Sequence, residues 1–129
     1  MAHHIHLVFS DPPDGVPEDE FDEWYDAHIQ EILAVDGWRA ATRYRLEGVV
    51  DAANTGGYRY LSLYELDCAP AEALANLEAA SMGSADSYID KKDADQGRLP
   101  LPEWFAGIRF GSWNCTQLGE RITPDGTQA

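Results

Sequence analysis

The hydrophobic period of this chain switches from two residues to 3.6 and back, twice, and few folds accept that order. Ile5, Leu7 and Phe9 alternate with His4, His6, Val8 and Ser10, the pattern of a strand, and the breaker cluster Asp11-Pro12-Pro13-Asp14-Gly15 ends it. From about Pro17 to Val35 the period is helical. Pro17 suits a first turn, Glu18, Asp19, Glu20, Asp22 and Glu23 crowd the positive end of the helix dipole, and Gly37 supplies a stop. Trp38 to Val50 alternates again, with Trp38, Ala40, Thr42, Tyr44 and Leu46 on one face and Arg39, Ala41, Arg43 and Arg45 on the other. After a turn over 51–57, Tyr58–Asp67 is rich in strand formers, so the two runs are expected to form a hairpin. Pro70 opens a second helix that reaches Met82, with Leu74, Leu77 and Met82 among its apolar positions. Residues 83–102 are irregular and read as a lid or a dimer arm. Phe105–Ile122 reads as the last strand, with a bulge expected at Gly107 or Gly111.

The order β-α-β-β-α-β predicts an α+β, ferredoxin-like domain: one four-stranded antiparallel sheet with both helices on one face. Strands this aromatic leave a large apolar patch on the uncovered face, and a second copy packed sheet to sheet would bury it, so a homodimer is expected. At 129 residues and 44% hydrophobic composition, residues 1–129 make one domain with a core that needs no staples. The formal charge of −14, from 23 acidic and 9 basic residues, repels phosphate backbones and anionic lipid surfaces. Nucleic acid and membranes are therefore not expected partners. Cys68 and Cys115 stand alone, and the first ten residues lack the basic-then-apolar pattern of a signal peptide. A cytoplasmic protein is expected.

On a helical wheel, Phe21, Trp24, Tyr25, His28, Ile29, Ile32 and Leu33 share one side, and most of the acidic residues fall outside it. His28 thus sits in the apolar stripe, pointing between helix and sheet. A buried imidazole needs partners for its nitrogens or it costs a few kcal/mol. Either it is satisfied internally and fills space, or it faces a cavity, where its near-neutral pKa suits it to move a proton.

The run from Asp11 to Leu46 resembles the EthD-like branch of the dimeric α+β barrel superfamily. It has the W-Y-x-x-H helix at Trp24, Tyr25 and His28, the V-x-G-aromatic stop at Val35-Asp36-Gly37-Trp38, and the R-aromatic-x-L strand end at Arg43-Tyr44-Arg45-Leu46. Tyr60 to Leu66 is similar to that family's third strand. The resemblance implies a dimer of ferredoxin-like subunits with a ligand held between helices and sheet. It also implies chemistry of the kinds such scaffolds host: cofactor-free monooxygenation, isomerisation or cyclisation, with haem used in some relatives. Relatives often continue H-x-P, whereas this chain has His28-Ile29-Gln30, so the helix can run on unbroken.

Other candidates carry less. His4 and His6 share a side of the first strand and, with His3, suggest metal, but no third or fourth ligand is fixed by spacing, so none is expected. His6 reads as a sheet residue near the dimer face or, as the alternative, a ligand contact. Arg39, Arg43 and Arg45 read first as ion-pair partners of Glu47, Glu65 or a second subunit, and Arg43 alternatively as an anion clamp. Neither cysteine has a neighbouring His in sequence that would make it a nucleophile. No GxGxxG, P-loop, GxSxG or HExxH pattern occurs, so no cofactor is expected. The reading that follows is a small cofactor-independent enzyme acting on a compact aromatic, quinone or lactone-like compound; isomerisation, cyclisation, decarboxylation and oxygenation all fit. His28 serves as general acid/base, Tyr25 or Tyr64 orients it or the substrate, and Trp24, Trp38, Tyr44, Tyr60, Arg43 and His6 contact substrate. The alternative is a non-catalytic dimeric ligand-binding or structural protein.

Overall fold

A computed structural model describes residues 4–48, 57–82 and 101–125. His3, most of the 51–57 turn and residues 83–100 of the expected lid or arm lie outside the described residues. The elements run β1 (His4–Asp11), α1 (Glu18–Leu33), β2 (Trp38–Arg45), β3 (Tyr60–Leu66), α2 (Pro70–Ala79) and β4 (Arg109–Thr116), with a 3-10 turn at Phe105–Gly107. The strands form one antiparallel sheet in the order β2-β3-β1-β4, the ferredoxin-like arrangement.

Each helix forms for the reasons its sequence offers. Glu18, Asp19 and Glu20 occupy the first turn of α1, and Phe21, Trp24, Tyr25, Ile29 and Ile32 are its buried residues. Pro70 opens α2, where its missing N–H costs nothing. Gly37 is required by the turn into β2: its φ is +95°, and a Cβ there would lie 2.6 Å from Cys68 Sγ.

Register decides which side chains face the helices. His6 lies opposite Tyr64 and Asn114, Val8 opposite Ser62 and Ser112, and Ser10 opposite Tyr60 and Phe110. These residues form the face under α1 and α2. Ile5, Leu7, Phe9, Leu61, Leu63 and Trp113 share the other. His6 therefore points toward the helices and not toward the face on which a second copy would pack.

Two expectations about the strands are corrected. In β2, Trp38 pairs with Leu66 and Ala40 with Glu65, so Arg39 is an extra residue in a bulge. Beyond that bulge Ala41, Arg43 and Arg45 take Trp38's face, opposite Tyr64, Ser62 and Tyr60, and Tyr44 turns outward at 48% exposure. The last strand is also shorter than Phe105–Ile122. Phe105 turns inward at the 3-10 turn and is buried in the core, and the ladder begins only at Arg109. Gly107 is no bulge: a Cβ there would meet Pro13 Cγ at 2.7 Å. The β1–β4 register likewise runs unbroken through Gly111, whose missing side chain leaves room for Tyr58.

The core is aromatic. Phe21 packs on Tyr25 and Tyr60 at centroid distances of 5.4 and 5.0 Å, and Trp24 packs on Phe105 at 5.2 Å. Burying each such ring contributes about 1.5–3 kcal/mol. Trp38 ties β2 to α2, its Nε1 donating to Ala73 O at 2.9 Å.

Candidate functional site

Between the sheet and the two helices lies a cavity of about 510 Å³. Its sheet side includes His6, Trp38 and Tyr64; α1 contributes Tyr25, His28 and Ile32; Leu74 and Leu77 of α2 supply an apolar wall. Phe110, Ser112 and Asn114 of the edge strand β4 are exposed and form part of its rim. The volume suits a compact organic ligand.

His28 stands on the wall of this cavity, 14% exposed through its side chain. Its ring stacks on Trp24 at 5.0 Å with planes 13° apart and meets Tyr25 edge-on at 5.8 Å. Its Nδ1 lies 3.2 Å from Glu31 Oε1, one turn further along the same helix. An ionised carboxylate only accepts, so in this contact Nδ1 is the donor. α1 runs unbroken through Ile29 and Gln30, so Glu31 stays on the turn that reaches His28.

His6 is the second imidazole of the cavity. It is buried, its Nδ1 lies 2.8 Å from Asn114 Oδ1, and its ring packs edge-on against Trp38 at 5.4 Å. Burial lowers its pKa below the ordinary value, partly offset by the Asn114 bond, because a charged ring loses hydration there.

Tyr25 and Tyr64 are buried side by side with Ser10 and Ser62. Burial raises the pKa of both phenols, Tyr64's well above the usual value, so each remains a neutral hydroxyl at working pH. The Tyr64 hydroxyl interacts with Ser62 and Tyr25 but makes no hydrogen bond of good geometry among the described residues. Because that oxygen is itself buried, it is the ring of Tyr64 that forms cavity wall.

The remaining sequence candidates lie outside the cavity. Trp24 stands behind His28 as its stacking platform. Arg43 sits over the rings of Tyr25, Tyr60 and Phe21 at 4.9, 5.5 and 5.6 Å and pairs with Asp22 at 2.9 Å and Asp26 at 3.4 Å. Arg45 pairs with Glu18 at 2.8 Å. The partners of both arginines are thus on α1 and are not the expected Glu47 or Glu65. Arg43, Tyr44 and Tyr60 instead line a smaller, charge-rich hollow of about 320 Å³ beside α1. Sequence reading missed Glu31 and Asn114. Glu31 carried a signal, its i+3 spacing from His28; Asn114 carried none until the strands were in register.

Among the described residues no group of three or more His, Cys, Asp or Glu side chains is placed to hold a metal ion, and no helix is long and apolar enough to cross a membrane. No family model matches the chain, and no curated protein matches it in sequence. Solved structures do match it in shape. A crystal structure of an Arabidopsis thaliana protein superposes with a TM-score of 0.56 at 13% identity, covering 90% of this chain and 98% of that one. A dimeric ferredoxin-like protein of unknown function from Thermobifida fusca gives 0.51 at 11% identity, covering 90% and 92%. At such identities the likeness speaks to fold, and the fold is ferredoxin-like.

Proposed function

We propose that the chain is a cofactor-independent enzyme of the EthD-like branch, acting on a compact aromatic, quinone or lactone-like compound held between sheet and helices. The observation that carries this reading is His28 on the wall of a 510 Å³ cavity with its Nδ1 held by Glu31. The carboxylate orients the ring and stabilises the imidazolium formed when Nε2 takes a proton from substrate; returning that proton elsewhere on the same molecule is the step of an isomerisation or cyclisation. Aromatic and aliphatic walls hold the substrate in place and exclude water. His28→Ala and His28→Gln, assayed against small aromatic acids, quinones and lactones, are expected to lose about 10²–10⁴-fold in turnover. Full turnover in both variants would remove His28 from the chemistry.

The functional unit in this proposal is a homodimer. Both helices lie on one face of the sheet, and the opposite face carries Ile5, Leu7, Phe9, Leu61 and Leu63 beside Trp113, which is 54% exposed. Packing two such faces together removes an apolar patch that a lone subunit would show to water. Sedimentation is expected to give a dimer, and Leu7→Glu a monomer; a monomeric wild-type chain would refute the pairing.

A second reading, a non-catalytic carrier of an apolar ligand, is favoured by the aliphatic wall of Ile32, Leu74 and Leu77. It predicts ligand binding that survives His28→Gln, with no turnover in the wild type.

A further inference from the structure

We infer that His6 and Asn114 form a second polar pole of this cavity, one that accepts a hydrogen bond from a ligand hydroxyl and selects a neutral phenol or enol over a carboxylate. The inference rests on the cavity reading above and adds the chemical class of what the cavity takes. Asn114 Oδ1 is an acceptor, so the 2.8 Å contact fixes a proton on His6 Nδ1. In the neutral ring that leaves Nε2, at the far end of the imidazole, as a bare acceptor. Strand side chains stand roughly perpendicular to the sheet, and His6 is on the face under the helices, so this end of the ring is directed into the helix–sheet space that the cavity occupies. Among the described residues the Asn114 bond is the single hydrogen bond the His6 ring makes.

The setting favours a neutral donor over an anion. Two hydrophobic rings, Trp38 and Tyr64, flank His6 at centroid distances of 5.4 and 6.4 Å. None of the described residues that line the cavity is Lys or Arg. An anion entering would lose its hydration without a fixed counter-charge, in the field of a chain of formal charge −14. A phenol or enol hydroxyl loses only one water-facing bond and recovers it at Nε2. The two imidazoles then divide the work: His6 accepts the hydroxyl and sets the ligand's orientation, and His28 moves the proton. His6 is a specificity-determining residue in this scheme.

The test uses 4-ethylphenol, its methyl ether 4-ethylanisole and 4-ethylbenzoate, three probes of one shape. Binding to the full chain at pH 7.5 is followed by calorimetry and by tryptophan fluorescence, to which Trp38 on the cavity wall reports. The wild type is expected to bind the phenol about tenfold tighter than the ether, the worth of one hydrogen bond made to an otherwise unsatisfied acceptor, and the benzoate more weakly still. His6→Phe keeps a ring and removes the acceptor, so the phenol–ether ratio should fall to within about twofold while ether binding holds. Asn114→Leu, at an exposed edge-strand position, should lower the ratio without abolishing it. Equal phenol and ether binding in the wild type overturns the inference with no variant needed, as does tighter benzoate binding or an unchanged ratio in His6→Phe. His28→Gln separates the two claims, since it should keep the phenol preference while losing turnover. Preference retained together with full turnover refutes the role of His28 alone. Failure of all three probes to bind the wild type refutes the cavity reading together with this one.

Discussion

Replacing Tyr64 with Phe removes one oxygen from the middle of the core and leaves the ring that packs there. Tyr64 is 1% exposed, and its hydroxyl makes no hydrogen bond of good geometry among the described residues. A hydroxyl buried with only poorly aligned contacts, here to Ser62 and Tyr25, costs up to about 1–3 kcal/mol relative to one in water. Against that gain stands the small void the oxygen leaves, roughly 10 Å³ at about 24 cal/mol per Å³, or about 0.2 kcal/mol. The net expectation is a variant more stable by about 1 kcal/mol. Unfolding entropy near 2.1 cal/mol/K per residue over 129 residues sums to roughly 270 cal/mol/K, so the Tm should rise by about 4 °C. Thermal melts by circular dichroism read the shift, and urea titration with an unchanged m-value checks that only stability has moved. A fall of about 2 °C or more would refute the reasoning, because it would mean the hydroxyl is satisfied and stabilising. Activity adds a second reading of the same variant. A gain in stability with a loss of turnover marks a polar group kept for chemistry at a cost to folding; a gain with turnover intact makes Tyr64 wall and nothing more.

Trp38→Phe deletes the 2.9 Å bond from β2 to Ala73 O of α2 and removes part of a buried ring, so urea unfolding should show a loss of about 2 kcal/mol. Gly37→Ala and Gly15→Ala form a matched pair. Both glycines have φ above +90°, but a Cβ at 37 meets Cys68 Sγ at 2.6 Å and one at 15 meets nothing within 4 Å. Each should lose about 1 kcal/mol for the backbone, with a further loss at 37 that measures the steric contact. His6 has a folded-state pKa below 6.5, so between that lowered value and 6.5 the unfolded chain binds more protons than the native one. Stability is therefore held above about pH 6.5 and falls as pH drops through the lowered value. The difference between wild type and His6→Gln isolates this slope from the many carboxylates, and identical pH profiles would contradict it.

How legible the molecule was depended on whether a feature is settled within one element or between elements. α1 could be read because its 3.6-residue period is a local property: Phe21, Tyr25, Ile29 and Ile32 bury the stripe the wheel drew, and His28 lies where that stripe put it. The face of β2 could not be read, because the bulge at Arg39 exists only in the pairing with Leu66 and Glu65, and one extra residue inverts every side chain beyond it. That inversion moved Tyr44 outward and swung Arg43 onto the aromatic rings under α1. Phe105 was misread for a related reason. An aromatic residue beside a strand run has the propensity of a strand, but its burial against Trp24 overrides that preference. The same division runs through the cavity. Its helical half, His28 with Glu31 three residues away, is written in consecutive turns. Its sheet half, His6 with Asn114, joins positions 108 residues apart that meet only because β1 and β4 are neighbours in register. A chain of this fold can therefore keep its W-Y-x-x-H helix and still change what it binds, since the residues facing that helix across the cavity are set by strand register. Under the inference drawn above, the acceptor at His6, and not the helix motif, sets the specificity of this cavity.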